Sequence, residues 1–284
     1  MRIVVIGAGG QLGSDLVEVL SSHDVVPLCH DDIEVSDRKS CEQLVHLRPE
    51  VVVNTAAYHR VDECEENPER AFAVNAIGAK NIAEVCERIG ACAVFISTDY
   101  VFDGTKGEPY TEEDCPSPLN TYGISKLAGE AYTRLVSRHY VFRVASLFGV
   151  RGASGKGGNF VETIVKKARA GESLTVVDDV VMSPTYTRDA ALLIREVLER
   201  GLPHGVYHAT NTGMCSWFEF ARTIVELVGL DVSVSPIRSE SLSQRARRPP
   251  FSALESPVLR SHGLAMRHWR EALRDYLAAK GHLQ

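Results

Sequence analysis

The stretch "VVIGAGGQLGSDLVEVL", Val4 to Leu20, decides how the chain folds. An apolar run stops at a cluster of glycines and an amphipathic segment follows, the order of strand, tight turn and helix. Gly7, Gly10 and Gly13 fit the spacing GxxGxxG, whereas GxGxxG fails at its last position, where Leu12 stands. Glycines so placed let the backbone turn sharply, bring its amides against a pyrophosphate and pack helix on strand. The helix start, at Gln11 and Leu12, favours negative charge. A simple β–α turn uses glycine for the same steric reasons, so the ligand reading needs support from elsewhere in the chain.

That support begins with the rhythm that follows. "RIVVIG", "VVPLC", "VVVNTAA" and "ACAVFIST" alternate with the amphipathic "LGSDLVEVLSS", "SCEQLVHL" and "ERAFAVNAIGAKNIAEVCERIG". Runs apolar on both faces are strands of a parallel sheet covered by helices, and right-handed crossovers make it doubly wound. The expected fold is α/β, a Rossmann-type doubly wound parallel sheet with a smaller, discontinuous C-terminal substrate domain. The first domain takes residues 1–150 plus about 184–204, the second about 151–183 plus 205–284. Asp31 and Asp32 follow the second strand, where an acid holds an adenosine ribose and favours NADH; His30, Arg38 and Lys39 are placed to receive a 2′-phosphate instead. Glu34 and Val35 stand at the next turn, as adenine-side candidates or as a helix-capping loop. Ala56, Ala57 and Tyr58 follow the third strand, where small side chains let a cofactor approach or a helix pack closely.

Later in the chain, "FISTDYVFDG" is an apolar strand ending in hydroxyls and an acid, where an open α/β sheet presents ligand-binding groups. "YGISK" then sets Tyr122 and Lys126 four residues apart, on one face of a helix. A positive neighbour favours phenolate and lowers a tyrosine pKa. Asn75, inside an apolar helix, bonds backbone or water near the site, or bends the helix. Arg248, in the one basic cluster with Arg245 and Arg247, is a bidentate clamp for a diphosphate or a solvated surface residue.

Composition narrows the class. The 284 residues are 44% hydrophobic with a formal charge of -6, which gives no general attraction to nucleic acid or anionic membrane. No apolar run approaches the roughly 20 residues of a membrane span, and a cytoplasmic protein is expected. The seven cysteines are scattered and never spaced as CxxC, so neither a disulfide framework nor a metal site is expected.

Glycine loop, strand-end hydroxyl and YxxxK in this order resemble the extended short-chain dehydrogenase/reductase superfamily. The blocks "NTAAYHRVDECEENPERAFAVNAIGAKNIAEVC", "STDYVFDG", "SPLNTYGISKLAGE", "DDVVMSPTYTRDAA", "GVYHATNTGMCSWFEFA" and "ARRPPFSALES" are similar, nearly end to end, to the dTDP-4-dehydrorhamnose reductase family. The resemblance implies reduction of the C4 ketone of a dTDP-6-deoxy-4-keto-L-hexose by NADPH or NADH. Thr98 matches the catalytic threonine, and Tyr122 and Lys126 match the proton donor and its lysine, which also holds the nicotinamide ribose. Asp99 and Tyr100 fall in the segment lining the substrate, and Asn159 with Phe160 either in a substrate-domain contact or as a helix cap with a packed ring. Family members read "RTSWLYG" where this chain has "RVASLFG", and Leu147 is taken to replace the tryptophan beside the sugar. A nucleotide-sugar substrate and a homodimer are the partners expected. The alternatives are a non-catalytic NADP-binding regulatory subunit resembling methionine adenosyltransferase β, and an extended reductase or epimerase for another nucleotide sugar.

Overall fold

The computed structural model describes residues 1–152 and 158–283, so the glycine-rich loop expected at "RGASGKGGN" lies partly outside the described residues. Strands are β1 (Arg2–Ile6), β2 (Asp24–Leu28), β3 (Val51–Asn54), β4 (Cys92–Thr98), β5 (His139–Val144), β6 (Leu147–Phe148), β7 (Leu174–Val177), β8 (Val181–Met182), β9 (Thr185–Tyr186), β10 (Gly205–His208), β11 (Cys215–Ser216) and β12 (Val234–Ile237). Helices are α1 (Gln11–Val19), α2 (Arg38–Cys41), α3 (Gln43–Leu47), α4 (Val61–Glu66), α5 (Pro68–Phe72), α6 (Gly78–Ile89), α7 (Thr121–Thr133), α8 (Phe160–Arg169), α9 (Thr187–Arg200), α10 (Trp217–Val228), α11 (Pro257–Ser261) and α12 (Trp269–Ala279). A π-helical turn, Ala73–Ile77, joins α5 to α6, and a 3₁₀ turn, Asp99–Val101, follows β4.

Six strands form one wholly parallel sheet in the order β2-β1-β3-β4-β5-β10. The alternation along β1 explains the double winding. Ile3 and Val5 face α1 and α9 with Val53, Val94 and Phe142, while Val4 and Ile6 face α6 with Val52 and Ala93. Every residue of β3 and β4 is buried, as a strand covered by helices on both faces requires. The chain leaves β1 for β2 on one side and then crosses to β3 on the other, so a crevice opens at the carboxyl ends of β1 and β3.

The remaining elements enclose a second core of Phe148, Val161, Ile164, Leu174, Phe220, Trp269 and Tyr276, built by α8, α10 and α12 with short strand pairs β7–β12 and β8–β11. The boundary drawn at residue 205 needs correcting. Strand β10 pairs in parallel with β5 and completes the large sheet, and Leu259, Leu264 and Met266 join the core beneath it. A four-residue strand after a helix carries too little periodicity to declare its sheet. Among the described residues no helix is long and apolar enough to cross a membrane, and no group of three or more His, Cys, Asp or Glu could hold a metal ion.

Candidate active site

Three strand ends build one face of the crevice. At the end of β1, Gly7 adopts φ +81°, and a Cβ at Gly13 would stand 2.1 Å from the Gly7 carbonyl oxygen, so α1 can meet the turn only with glycine there. Gly10 caps α1 with no side-chain bond, which leaves the first amides, Gln11 and Leu12 among them, for an outside acceptor. Beside them the Ala56 amide is held by Asn54 Oδ1 at 3.0 Å. An uncapped helix start, a close-packed glycine turn and two alanines at the neighbouring strand end fit a dinucleotide pyrophosphate. Asp31 is exposed, whereas the Asp32 carboxylate accepts the Cys29 amide at 2.7 Å and belongs to the turn. Glu34 binds Ser36 through amide and hydroxyl, and Val35 is buried under Asn81, whose amide donates to its carbonyl.

At the end of β4, Thr98 is 5% exposed; its Oγ1 accepts the Tyr100 amide at 3.2 Å and donates to Asp99 Oδ1 at 3.0 Å. Opposite, α7 starts at Asn120, whose side chain accepts the Gly123 amide, and carries Tyr122 and Lys126 inward. The Tyr122 ring meets the Tyr100 ring edge-on, with centroids 6.0 Å apart. One buried amide ties the pieces together. Asn75 accepts the Tyr58 amide at 2.8 Å and donates to the Tyr58 carbonyl and to Ser125 Oγ, both at 3.0 Å, and Ser125 in turn donates to the Tyr122 carbonyl. Asn75 thereby fixes the loop after β3 to the first turn of α7.

Electrostatics corrects the expected pairing of Tyr122 with Lys126. Burial pushes the Tyr122 phenol above its ordinary value, opposed by a hydrogen bond with Thr98; Lys126 is not among the groups that lower it. The ammonium instead donates to the Ile96 carbonyl at 2.6 Å and lies 4.0 Å from the Phe95 ring centroid. Burial pushes Lys126 down to about 7, with Glu130 acting against it. Glu130 is itself held by Arg143, Nε to Oε1 at 2.9 Å and Nη2 to Oε2 at 2.8 Å, and accepts Ser97 Oγ at 2.5 Å. Glu130 and Arg143 are site residues the sequence reading missed. The signal was present, since Glu130 follows Lys126 by the interval that separates Lys126 from Tyr122.

The profile described as the RmlD substrate binding domain matches residues 1–281. The dTDP-4-dehydrorhamnose reductase of Mycolicibacterium smegmatis is 39% identical over 284 residues, covering 98% of this chain and 85% of that protein. The chain belongs to the dTDP-4-dehydrorhamnose reductase family. Spore coat polysaccharide biosynthesis protein SpsK of Bacillus subtilis is likewise 39% identical, over 280 residues, 97% of this chain and 96% of that one. The crystal structure of dTDP-4-dehydrorhamnose reductase from Bacillus anthracis in complex with NADP superposes with a TM-score of 0.92 at 36% identity, covering 98% of this chain and 99% of that one.

Within this reductase fold the substrate-side residues divide. Tyr100 faces Tyr122. Arg248 is paired bidentately with Asp62 of α4, at 2.7 Å and 3.3 Å, with its side chain 22% exposed, so a diphosphate would compete with that carboxylate for it. Asn159 caps α8, accepting the Glu162 amide, and its own amide reaches Gly149 O, Gln11 Oε1 and Tyr276 Oη, so its side chain is consumed in joining α1 to the second core. Leu147 packs against the large-sheet core and its carbonyl accepts Gln11 Nε2. Setting "RVASLFG" against "RTSWLYG" residue for residue puts Ser146, with φ +44°, at the reductases' tryptophan position, and Leu147 one place beyond it. The replacement assigned to Leu147 therefore belongs to Ser146.

Proposed function

We propose that the chain reduces the C4 ketone of a nucleotide-activated 6-deoxy-4-keto sugar with NADPH or NADH, with dTDP-4-dehydro-L-rhamnose as substrate and dTDP-L-rhamnose as product. The observation that carries this is the meeting of Thr98, Tyr122 and Lys126 at the end of β4, beside a glycine loop that leads into a helix start with no side-chain cap. The names borne by the relatives, and the NADP held by the Bacillus anthracis structure, support both sugar and cofactor.

When bound, the nicotinamide cofactor supplies a hydride to the ketone carbon. Gln11 and Leu12 hold its pyrophosphate by their amides, Ala56 and Ala57 leave room for it, and Asp31 stands where the ribose hydroxyls are read. Thr98 donates to the ketone oxygen as negative charge gathers there, and Tyr122 gives that oxygen its phenolic proton. Lys126, one helical turn beyond Tyr122, holds the nicotinamide ribose. Packing of α7 on the Tyr100 turn keeps water from the reacting pair.

The test is cofactor oxidation with dTDP-4-keto-6-deoxy-L-mannose generated in situ. Tyr122→Phe is expected to lower kcat by about 10²–10⁴-fold while leaving NADPH affinity intact. Near-normal turnover of that variant would reject the role of Tyr122. A wild-type protein that binds NADPH yet reduces no keto-sugar would favour the regulatory-subunit alternative.

A further inference from the structure

Thr98 has one hydroxyl proton, for which the Asp99 carboxylate and the Tyr122 phenol oxygen compete. Oγ1 donates to Asp99 Oδ1 at 3.0 Å while accepting the Tyr100 amide at 3.2 Å. A proton given to Asp99 is not available to a substrate oxygen, which is where the reaction needs it. Asp99 is 4% exposed, and its second oxygen, Oδ2, is buried without a hydrogen-bond partner among the described residues. The groups facing it are the Thr98 hydroxyl, the Tyr100 amide and phenol, the Tyr122 phenol of α7 and the Ser252 hydroxyl from the C-terminal segment. None is a cation. Burial pushes Asp99 up to about 6, against the favourable influence of the Ser252 and Thr98 hydroxyls.

We infer that Asp99 is a positioning residue that sets which way the Thr98 hydroxyl donates. Ionised, Asp99 draws the Thr98 proton to itself. Protonated, it donates to Thr98 Oγ1, and the Thr98 proton turns to the substrate oxygen. Oγ1 has two lone pairs, so it can accept from Asp99 and from the Tyr100 amide together. No proton is consumed at Thr98; one is taken up by Asp99 from solvent, and only the direction of the hydrogen bond changes. The inference rests on the reading of Thr98 as the donor to the ketone oxygen.

Turnover of the wild type is expected to rise as pH falls through about 6, by up to about tenfold between pH 7 and pH 5 as the protonated fraction of Asp99 grows. Asp99→Asn, checked for folding by thermal melting and NADPH binding, is expected to lose this limb. Ser252→Ala removes a hydroxyl that favours the carboxylate, so the midpoint of the limb moves to higher pH. Difference infrared spectra of the cofactor-free protein give a readout independent of turnover: a protonated-carboxyl band that titrates near pH 6 in wild type and is absent from Asp99→Asn. A limb unchanged in Asp99→Asn, a midpoint unmoved in Ser252→Ala, or an Asp99 band titrating at the ordinary carboxylate value overturns the inference. A protein that reduces no keto-sugar, yet shows the band near pH 6, fails as a reductase while the carboxyl assignment at Asp99 holds.

Discussion

Lys126 keeps an ammonium 2% exposed to water, with one carbonyl and one aromatic face for company. Burial costs the charged form, and a base pushed from 10.5 to about 7 binds fewer protons folded than unfolded across that interval. Stability therefore rises with pH from about 7 to 10.5, and below 7 the whole burial cost is present. Lys126→Met, which fills similar volume without charge, is expected to lose turnover and yet gain a few degrees in Tm at pH 6. The gain should shrink toward pH 10. Glu130 keeps Arg143 as partner in that variant, so no buried carboxylate is left unpaired. Thermal melts of both proteins at pH 6 and pH 10 check it, and a gain equal at both would assign the effect to packing.

At the scale of elements, α7 carries the chemistry because it can approach its neighbours unusually closely. A Cβ at Gly123 would lie 2.2 Å from the Tyr100 carbonyl oxygen, and one at Gly129 would lie 2.4 Å from that of Asn75. The helix was legible in "YGISKLAGE", down to its paired Tyr122 and Lys126. The π-helical turn at Ala73–Ile77 was not, because "ERAFAVNAIGAKN" has the apolar spacing of an unbroken helix and the extra residue per turn leaves no mark in composition. That turn is what aims Asn75 at Tyr58 and Ser125. Gly123→Ala is expected to push the start of α7 from the Tyr100 turn, where displacement by about 1 Å can cost about 10²-fold in rate. A kcat loss of that order, with NADPH affinity nearly kept, is the expected result of steady-state kinetics and calorimetry.

Across the whole molecule, the large sheet was legible because parallel strands buried on both faces read as apolar runs. The second core was less so: β8, β9 and β11 are two residues each, too short for any period, and their places depend on partners far along the chain. Long-range pairing also decides the fate of the basic cluster. Asp62 and Glu66, one turn apart on α4, receive Arg248 and Arg245, while Asn120 Nδ2 holds the Arg247 carbonyl. The segment from the second unit is thus strapped across the start of α7, and Arg248 is held by a carboxylate where a diphosphate would compete for it. If the diphosphate of the nucleotide sugar displaces Asp62 from Arg248, that contact is made alike in ground and transition states, and Arg248→Ala is then expected to raise KM about tenfold or more with little change in kcat. Asp62→Asn acts oppositely, since the pair is partly exposed and contributes little to stability while its loss frees the guanidinium: KM should fall. If both variants raise KM, Asp62 is needed to seat the strap rather than competing with the substrate. Salt discriminates again, because a diphosphate contact through Arg248 makes wild-type KM rise with ionic strength more steeply than that of Arg248→Ala.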